Sequence, residues 1–169
     1  MLRGLAIEQQ MLYYEYVLIK DIFHKNPVTI TTSLTVKEAL VEILNKKING
    51  LIVTDDSGKK VKGVLSVQDI AGATIPRQFR KNIGMAAGMY KKGFFHEMCA
   101  EIEDLPVTKI MRTDFESVSL DDNIMTITAE FLLGDLYIVP VIEKGELVGV
   151  VTRSEIKKAL AVGMNLAPA

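Results

Sequence analysis

The chain has 169 residues, 49% of them hydrophobic and 24% charged, with a formal net charge of −1. This composition excludes a disordered chain, and the balanced charge argues against nucleic acid as a partner. The single Cys99 excludes an internal disulfide, and no apolar run is long enough to span a bilayer. We therefore expect a cytoplasmic protein without a membrane partner.

Taken in chain order, the sequence divides into two repeats and the segments around them. We predict a helical segment over residues 1–16, a first repeat over 17–75, a helical insert over 76–104, a second repeat over 105–163 and a tail over 164–169. The repeats match at a fixed offset: the segment that begins at Pro27 lies over the one that begins at Phe115, 88 residues later. Past Val53 the offset falls to 86, because a hairpin turn of the second copy is two residues shorter.

Each repeat predicts the element order β-α-β-β-α, so we expect a mixed α/β (α+β) fold. The expected strands are 28–31, 50–53 and 61–65 in the first copy and 117–120, 138–141 and 147–151 in the second, with final helices that begin near Ser66 and Thr152. We expect Ser33 or Asp121–Asp122 to cap the first helix of each repeat. The expected apolar faces are Val36, Ala39, Leu40, Ile43, Leu44 and Ile48 in the first copy and Ile124, Ile127, Phe131, Leu132 and Leu136 in the second. A helix over 94–103 would place Phe95, Met98, Cys99 and Ile102 on one face.

Two such units, each ending in Gly-apolar-apolar-Ser/Thr-x-x-acid, resemble a tandem cystathionine-β-synthase (CBS) domain pair, the Bateman module. The motif is Gly63-Val64-Leu65-Ser66-Val67-Gln68-Asp69 in one repeat and Gly149-Val150-Val151-Thr152-Arg153-Ser154-Glu155 in the other. The resemblance implies a regulatory module rather than an enzyme, with the repeats packed about a pseudo-two-fold axis. It also implies clefts that take AMP, ADP, ATP or an S-adenosyl compound as regulatory ligand, with no required cofactor, and association into homodimers.

The resemblance further implies which residues bind the ligand. A carboxylate such as Asp69 can accept hydrogen bonds from both ribose hydroxyls, and Ser66 lies where a helix start suits phosphate oxygens. Family geometry implies that each cleft combines the acid motif of one repeat with the leading strand of the other. The first cleft would then contain Val64, Ser66, Asp69, Arg112, Val118 and Tyr137, and the second would contain Thr152, Glu155, Lys25, Val28 and Asn49.

Helix capping is the alternative interpretation of both acid motifs, because Ser-x-x-Asp and Thr-x-x-Glu are capping-type sequences. We favour ligand binding at Asp69 and capping at Glu155, since the extra methylene of Glu155 displaces its carboxylate. One occupied cleft is therefore expected rather than two.

The sequence shows no nucleophile–base pair, glycine-rich phosphate loop or zinc motif, so we expect neither catalytic residues nor a metal site. His96, Cys99 and Glu103 would supply too few ligands, and Cys99 is better explained by packing. The leading hypothesis is an adenosyl-ligand sensor. The alternative is a ligand-free dimerisation module that docks an unidentified regulated protein through residues 72–104. The basic residues of that segment are Arg77, Arg80, Lys81, Lys91 and Lys92. Their ordinary interpretation is solvated surface, and the alternative is that they contact a phosphate group or nucleic acid.

Overall fold

The computed structural model describes residues 17–82, 84, 91–133 and 136–166. The chain forms two compact units: unit I is Val28–Phe115, and unit II joins the chain up to Pro27 to the chain from Glu116 onward. The helical segment predicted for residues 1–16 lies outside the described residues. No helix among the described residues is long and apolar enough to cross a membrane.

The described elements follow the predicted order in mixed α+β form, except for the first strand of the second repeat. The helices are α1 Ile19–Ile22, α2 Val36–Lys46, α3 Val67–Ala73, α4 Phe94–Ile102, α5 Ile124–Leu133 and α6 Arg153–Gly163. The strands are β1 Thr29–Thr31, β2 Gly50–Thr54, β3 Val61–Ser66, β4 Ile138–Glu143 and β5 Glu146–Thr152. Single turns of 3-10 helix lie at Arg77–Phe79 and Val107–Lys109.

Unit I contains the complete β-α-β-β-α unit around one hydrophobic core. Strand β2 lies between β1, which is parallel to it, and β3, which is antiparallel. The buried members of this core are Ile30, Val36, Ala39, Ile43, Leu51, Val53, Leu65, Ile70, Ile102 and Val107. The predicted apolar face of α2 is too wide, because Leu44 is 67% exposed. Leu44 is turned about 100° from the buried Ile43, which carries it off the core.

Unit II has its own core, beneath the β4–β5 hairpin. Its buried members are Ile19, Ile22, Val118, Ile127, Val139, Val141, Val151 and Ala159. From the expected face of the second repeat, Ile127 is buried, and Ile124, Phe131 and Leu136 pack against the core. The Leu132 side chain lies outside the described residues.

The strand predicted over 117–120 is wrong, because only Val118 forms a bridge, to Val141. In unit I the parallel ladder includes a hydrogen bond of 3.2 Å from the Ile52 N–H to the Val28 carbonyl. The repeat offset places Pro140 at the position of Ile52, and proline has no N–H to donate. The ladder therefore cannot extend towards residue 116 in the second repeat.

The caps predicted for the first helix of each repeat are also wrong. Thr35, not Ser33, caps α2, because its Oγ1 accepts the third backbone N–H and Glu38 completes a capping box. At the start of α5, the Asn123 side chain accepts from the Met125 N–H, whereas the Asp122 carboxylate accepts from a preceding loop N–H. Helices α2 and α5 thus begin one or two residues later than caps at Ser33 or Asp121–Asp122 would place them.

The segment that leads into each sequence repeat packs in the unit of the other repeat. Arg112 forms an antiparallel bridge to Val64, and His24 forms the matching bridge to Val150. The motif glycines make this approach possible: a Cβ on Gly63 would lie 2.7 Å from the Arg112 carbonyl oxygen, and one on Gly149 would lie 2.6 Å from the His24 carbonyl oxygen. The first position of each motif therefore requires glycine, because the backbone of the leading segment lies too close to leave room for a Cβ.

The insert contains the predicted helix, α4, but its apolar face is only partly buried. Ile102 is buried, and Met98 and Cys99 are half-buried. The prediction for Phe95 is wrong, because its side chain is 72% exposed. Phe95 shares a face with Ile102 but lies two turns nearer the helix start, away from the core residue.

Candidate functional site

The candidate site begins where β3 ends and α3 starts. Ser66 is buried and caps α3, its Oγ accepting from the Asp69 N–H at 3.2 Å. In return, the Asp69 Oδ2 accepts from the Ser66 N–H at 2.7 Å and from its hydroxyl at 2.6 Å. The capping box is therefore formed, and it holds the carboxylate in one position. It occupies Oδ2 and leaves Oδ1 outside the box.

Arg112 provides the charge that faces the other carboxylate oxygen. Two backbone hydrogen bonds of 2.9 Å tie Arg112 to Val64 on the edge of β3, next to Ser66. The Arg112 Nε then lies 3.3 Å from the Asp69 Oδ1. The pair is within ion-pair distance but is poorly aligned, since Nε and Nη2 of Arg112 are buried and find no hydrogen-bond partner among the described residues. The Nε and Nη2 groups of this guanidinium therefore keep unused donor capacity.

A cleft of about 710 Å³ opens beside Asp69 within unit I. This volume lies in the range typical of small-molecule sites. The cleft combines one carboxylate, apolar walls and three basic side chains; its lining is Gln68, Asp69, Gly72, Ala73, Ile75, Arg77, Arg80, Ile102, Leu105, Lys109 and Ile110. A carboxylate for hydroxyls, an apolar wall for a base and cations for an anionic group are the features that a nucleotide site requires.

The sequence singled out Asp69 but did not assign most of this lining to the site. Arg77 and Arg80 were identified as basic residues of the insert, with solvated surface as their ordinary interpretation. Their position beside Asp69 depends on the sharp turn after α3, where the Arg80 Nε donates to the Ile75 carbonyl at 3.0 Å. Gly72 is a signal that the sequence does offer, because a glycine inside a short helix often has a packing or functional reason.

The four predicted residues of the first cleft that belong to unit I lie together: Val64, Ser66, Asp69 and Arg112. The other two belong to unit II. Val118 is buried in the core of that unit, and the Tyr137 ring lies under the Arg153 guanidinium, 4.8 Å from its centroid. Their contact with an Asp69-bound ligand stays a prediction.

The second motif also forms a capping box, in unit II. Glu155 is 4% exposed, and its Oε2 accepts from the Thr152 N–H at 3.0 Å and from the Thr152 hydroxyl. Its Oε1 lies 3.3 Å from the Lys158 Nζ, on the same helix. Both carboxylate oxygens of Glu155 are thus engaged by its own helix, in contrast to the Oδ1 of Asp69.

The residues predicted to complete the second cleft have separate roles within their units. Lys25, in unit II, is exposed, and its Nζ lies 6.0 Å from the centroid of the Phe23 ring. In unit I, the Val28 carbonyl accepts from β2, and the exposed Asn49 accepts the Val67 N–H through its carbonyl at 3.0 Å. Their contact with a ligand at Glu155 also stays a prediction.

In the part of the chain that the structure describes, no group of three or more His, Cys, Asp or Glu side chains could hold a metal ion. His96 is exposed on α4, and Cys99 is a half-buried free thiol.

A complete β-α-β-β-α unit, followed by a second unit that lacks only its first strand, with a Gly-apolar-apolar-Ser/Thr-x-x-acid turn in each, defines a class of tandem-repeat modules. The sequence profile of the CBS domain matches residues 19–75 and 107–162. The chain therefore belongs to the CBS-domain family, and the expected tandem pair is confirmed. No curated protein sequence matches the chain at a significant level.

Solved structures of CBS-domain proteins share this fold. The CBS-domain protein ATU1752 of Agrobacterium tumefaciens is 21% identical, with a TM-score of 0.65 over 85% of this chain and 92% of that one. The CBS domain pair of MJ0100, solved with 5′-methylthioadenosine and S-adenosyl-L-methionine, is 20% identical, with a TM-score of 0.62 over 85% of this chain and 99% of that one. CBSX2, solved with AMP, is 21% identical, with a TM-score of 0.62 over 86% of this chain and 97% of that one.

Proposed function

We propose that this protein is a regulatory module, not a catalyst, that senses an adenosyl ligand bound at Asp69. The observation that carries the proposal is the fixed Asp69 carboxylate, with one oxygen outside its capping box, at the edge of a cleft of about 710 Å³. Family membership supports it, as do the adenosyl ligands of two structural relatives, MJ0100 and CBSX2.

The proposed contacts follow from the donors and acceptors in the cleft. The ribose hydroxyls donate to Asp69, because a carboxylate accepts two hydrogen bonds and those bonds are charge-assisted. The base packs on the apolar lining, which includes Ile75, Ile102 and Ile110. Arg112, which is not among the lining residues, holds a positive charge beside the Asp69 carboxylate, with its Nε 3.3 Å from Oδ1. Glu155 stays a capping residue, so we propose one site per chain.

The experiment is titration calorimetry of the full chain with adenosine, AMP, ATP and S-adenosylmethionine, after a thermal-shift screen. A ligand at 100 times its dissociation constant adds about 2.7 kcal/mol to the free energy of unfolding, which is readily seen in the melting temperature. We expect Asp69→Asn to weaken binding of the best ligand by at least about tenfold, because charge-assisted hydrogen bonds contribute roughly 1.5–3 kcal/mol each.

Glu155→Gln is the matched control, because it removes the corresponding carboxylate of the other repeat. We expect it to bind as the wild type does while losing some stability at the start of α6. Equal affinity of wild type and Asp69→Asn would overturn the assignment of the ribose site. A wild-type protein that binds none of the four compounds would overturn the sensor and favour the partner-docking alternative.

We also propose that the chain forms a homodimer. The supporting observation is a run of apolar side chains exposed at the end of the second repeat, where single apolar residues would be ordinary but a group indicates an interface. These residues are Leu160, Val162, Met164 and Leu166.

A further inference from the structure

The cleft beside Asp69 carries an excess of positive charge. Arg77, Arg80 and Lys109 line it, all three exposed, against the single carboxylate of Asp69. Among the described residues, no carboxylate lies within 4.0 Å of any of these three cations. Three unneutralised cations on one concave surface form an attractive site for an anion with several charges.

Two of these cations come from a segment that the second repeat lacks. Arg77 and Arg80 lie on and directly after the 3-10 turn that follows α3, in the insert that matches neither repeat. Arg80 is held in place by the hydrogen bond from its Nε to the Ile75 carbonyl. Arginine suits phosphate because its planar fork donates two parallel hydrogen bonds. Together with Lys109, these arginines form the basic rim of the cleft. The two arginines are thus an addition to the acid motif that the repeat provides.

The single carboxylate fixes which part of a ligand lies where. Asp69 attracts hydroxyl groups and repels phosphate, whereas the arginines attract phosphate. A nucleoside alone leaves the basic side chains unused, and the positive sulfonium of S-adenosylmethionine would be repelled by them. A nucleotide with a chain of phosphates satisfies both sets of groups.

We propose that Arg77, Arg80 and Lys109 select nucleoside polyphosphates over uncharged and cationic adenosyl compounds at this cleft. The proposal rests on the proposed function, since it names the class of ligand for the same site. It makes the insert a determinant of specificity. The expected order of affinity is ATP, ADP, AMP, adenosine, with S-adenosylmethionine the weakest.

The test is calorimetry of the full chain with adenosine, AMP, ATP and inorganic tripolyphosphate. We expect ATP to bind at least about tenfold more tightly than AMP at low ionic strength, and this advantage to shrink as added salt screens the exposed charges. In R77Q/R80Q the ATP affinity should fall to that of AMP, the adenosine affinity should be unchanged, and tripolyphosphate binding should be lost. The control is K46Q/K157Q, which removes two exposed positive charges that are not among the cleft's lining residues and should leave all four affinities unchanged.

The outcomes separate this inference from the proposed function. If adenosine and AMP bind through Asp69 but ATP has no advantage, or if R77Q/R80Q keeps that advantage, the selection by the basic rim is wrong and the sensor stands. If tripolyphosphate binds in an arginine-dependent way while adenosine does not bind, the basic rim is an anion site and the adenosyl function is wrong. Equal losses in R77Q/R80Q and K46Q/K157Q would show a general charge effect and would overturn the inference.

Discussion

Two glycines of unit I should respond in opposite ways to the same substitution. A Cβ on Gly63 would lie 2.7 Å from the Arg112 carbonyl oxygen and 2.9 Å from the Met111 Sδ, closer than real Cβ contacts. A Cβ on Gly72 would meet no heavy atom within 4 Å. Gly63 therefore permits a backbone contact, whereas Gly72 leaves open space inside α3, where glycine weakens a helix.

The expected changes in the free energy of unfolding follow from these surroundings. Gly63→Ala must displace the backbone at Arg112, and overpacking of this kind costs about 1–3 kcal/mol. Gly72→Ala should instead stabilise by up to about 1 kcal/mol, because alanine is the better helix former. In a chain of this size, 1 kcal/mol shifts the melting temperature by about 2–4 °C. Thermal and urea unfolding of both variants measure the difference.

Gly72 also lines the cleft, so a larger side chain there separates stability from binding. Gly72→Leu adds a good helix former that projects into the space proposed for the ligand. We expect its stability to equal or exceed that of the wild type while AMP binding weakens. Destabilisation of Gly72→Ala to the extent of Gly63→Ala would refute the reasoning about packing, and unchanged AMP binding in Gly72→Leu would refute the position of the ligand.

The remaining predictions concern pH and assembly. The hydrogen bond and positive charge of Lys37 lower the pKa of Glu103 from its usual 4.5. The ion pair therefore stabilises the folded state above pH 4.5, and this contribution is lost as the pH falls through the lower pKa of the folded state. Between about pH 5 and pH 3, the free energy of unfolding should therefore fall more in wild type than in Lys37→Met, as measured by urea titration; equal losses would refute the contribution of the pair. Light scattering should return about twice the 18.7 kDa chain mass, and a monomer across micromolar concentrations would refute the homodimer.

The sequence was sufficient for the parts of the fold that depend on periodicity and on motif spacing. The hairpins and the helix starts at Ser66 and Thr152 lie where they were predicted. The first strand of the second repeat was predicted wrongly because the effect of Pro140 acts across the sheet, on a residue far away in sequence. Contacts of this kind depend on strand pairing, which local patterns do not specify.

The candidate site shows the same division between local and distant information. The capping box of Ser66 and Asp69 was visible as a four-residue pattern. The crossing of Arg112 onto Val64 was not visible in that pattern, because 48 residues separate them and the contact requires the leading segment to pack in the other unit. The basic rim was missed as part of the site for a similar reason. Charged residues in an insert indicate solvated surface until the fold brings them to a cleft.

The most direct test of the account is a crystal structure of the full chain grown with AMP. The account predicts a ribose whose hydroxyls lie within hydrogen-bond distance of the Asp69 carboxylate, with the phosphate towards Arg77 and Arg80 and no nucleotide at Glu155. A structure with AMP bound only at Glu155, or with the Asp69 cleft empty at saturating AMP, would contradict it.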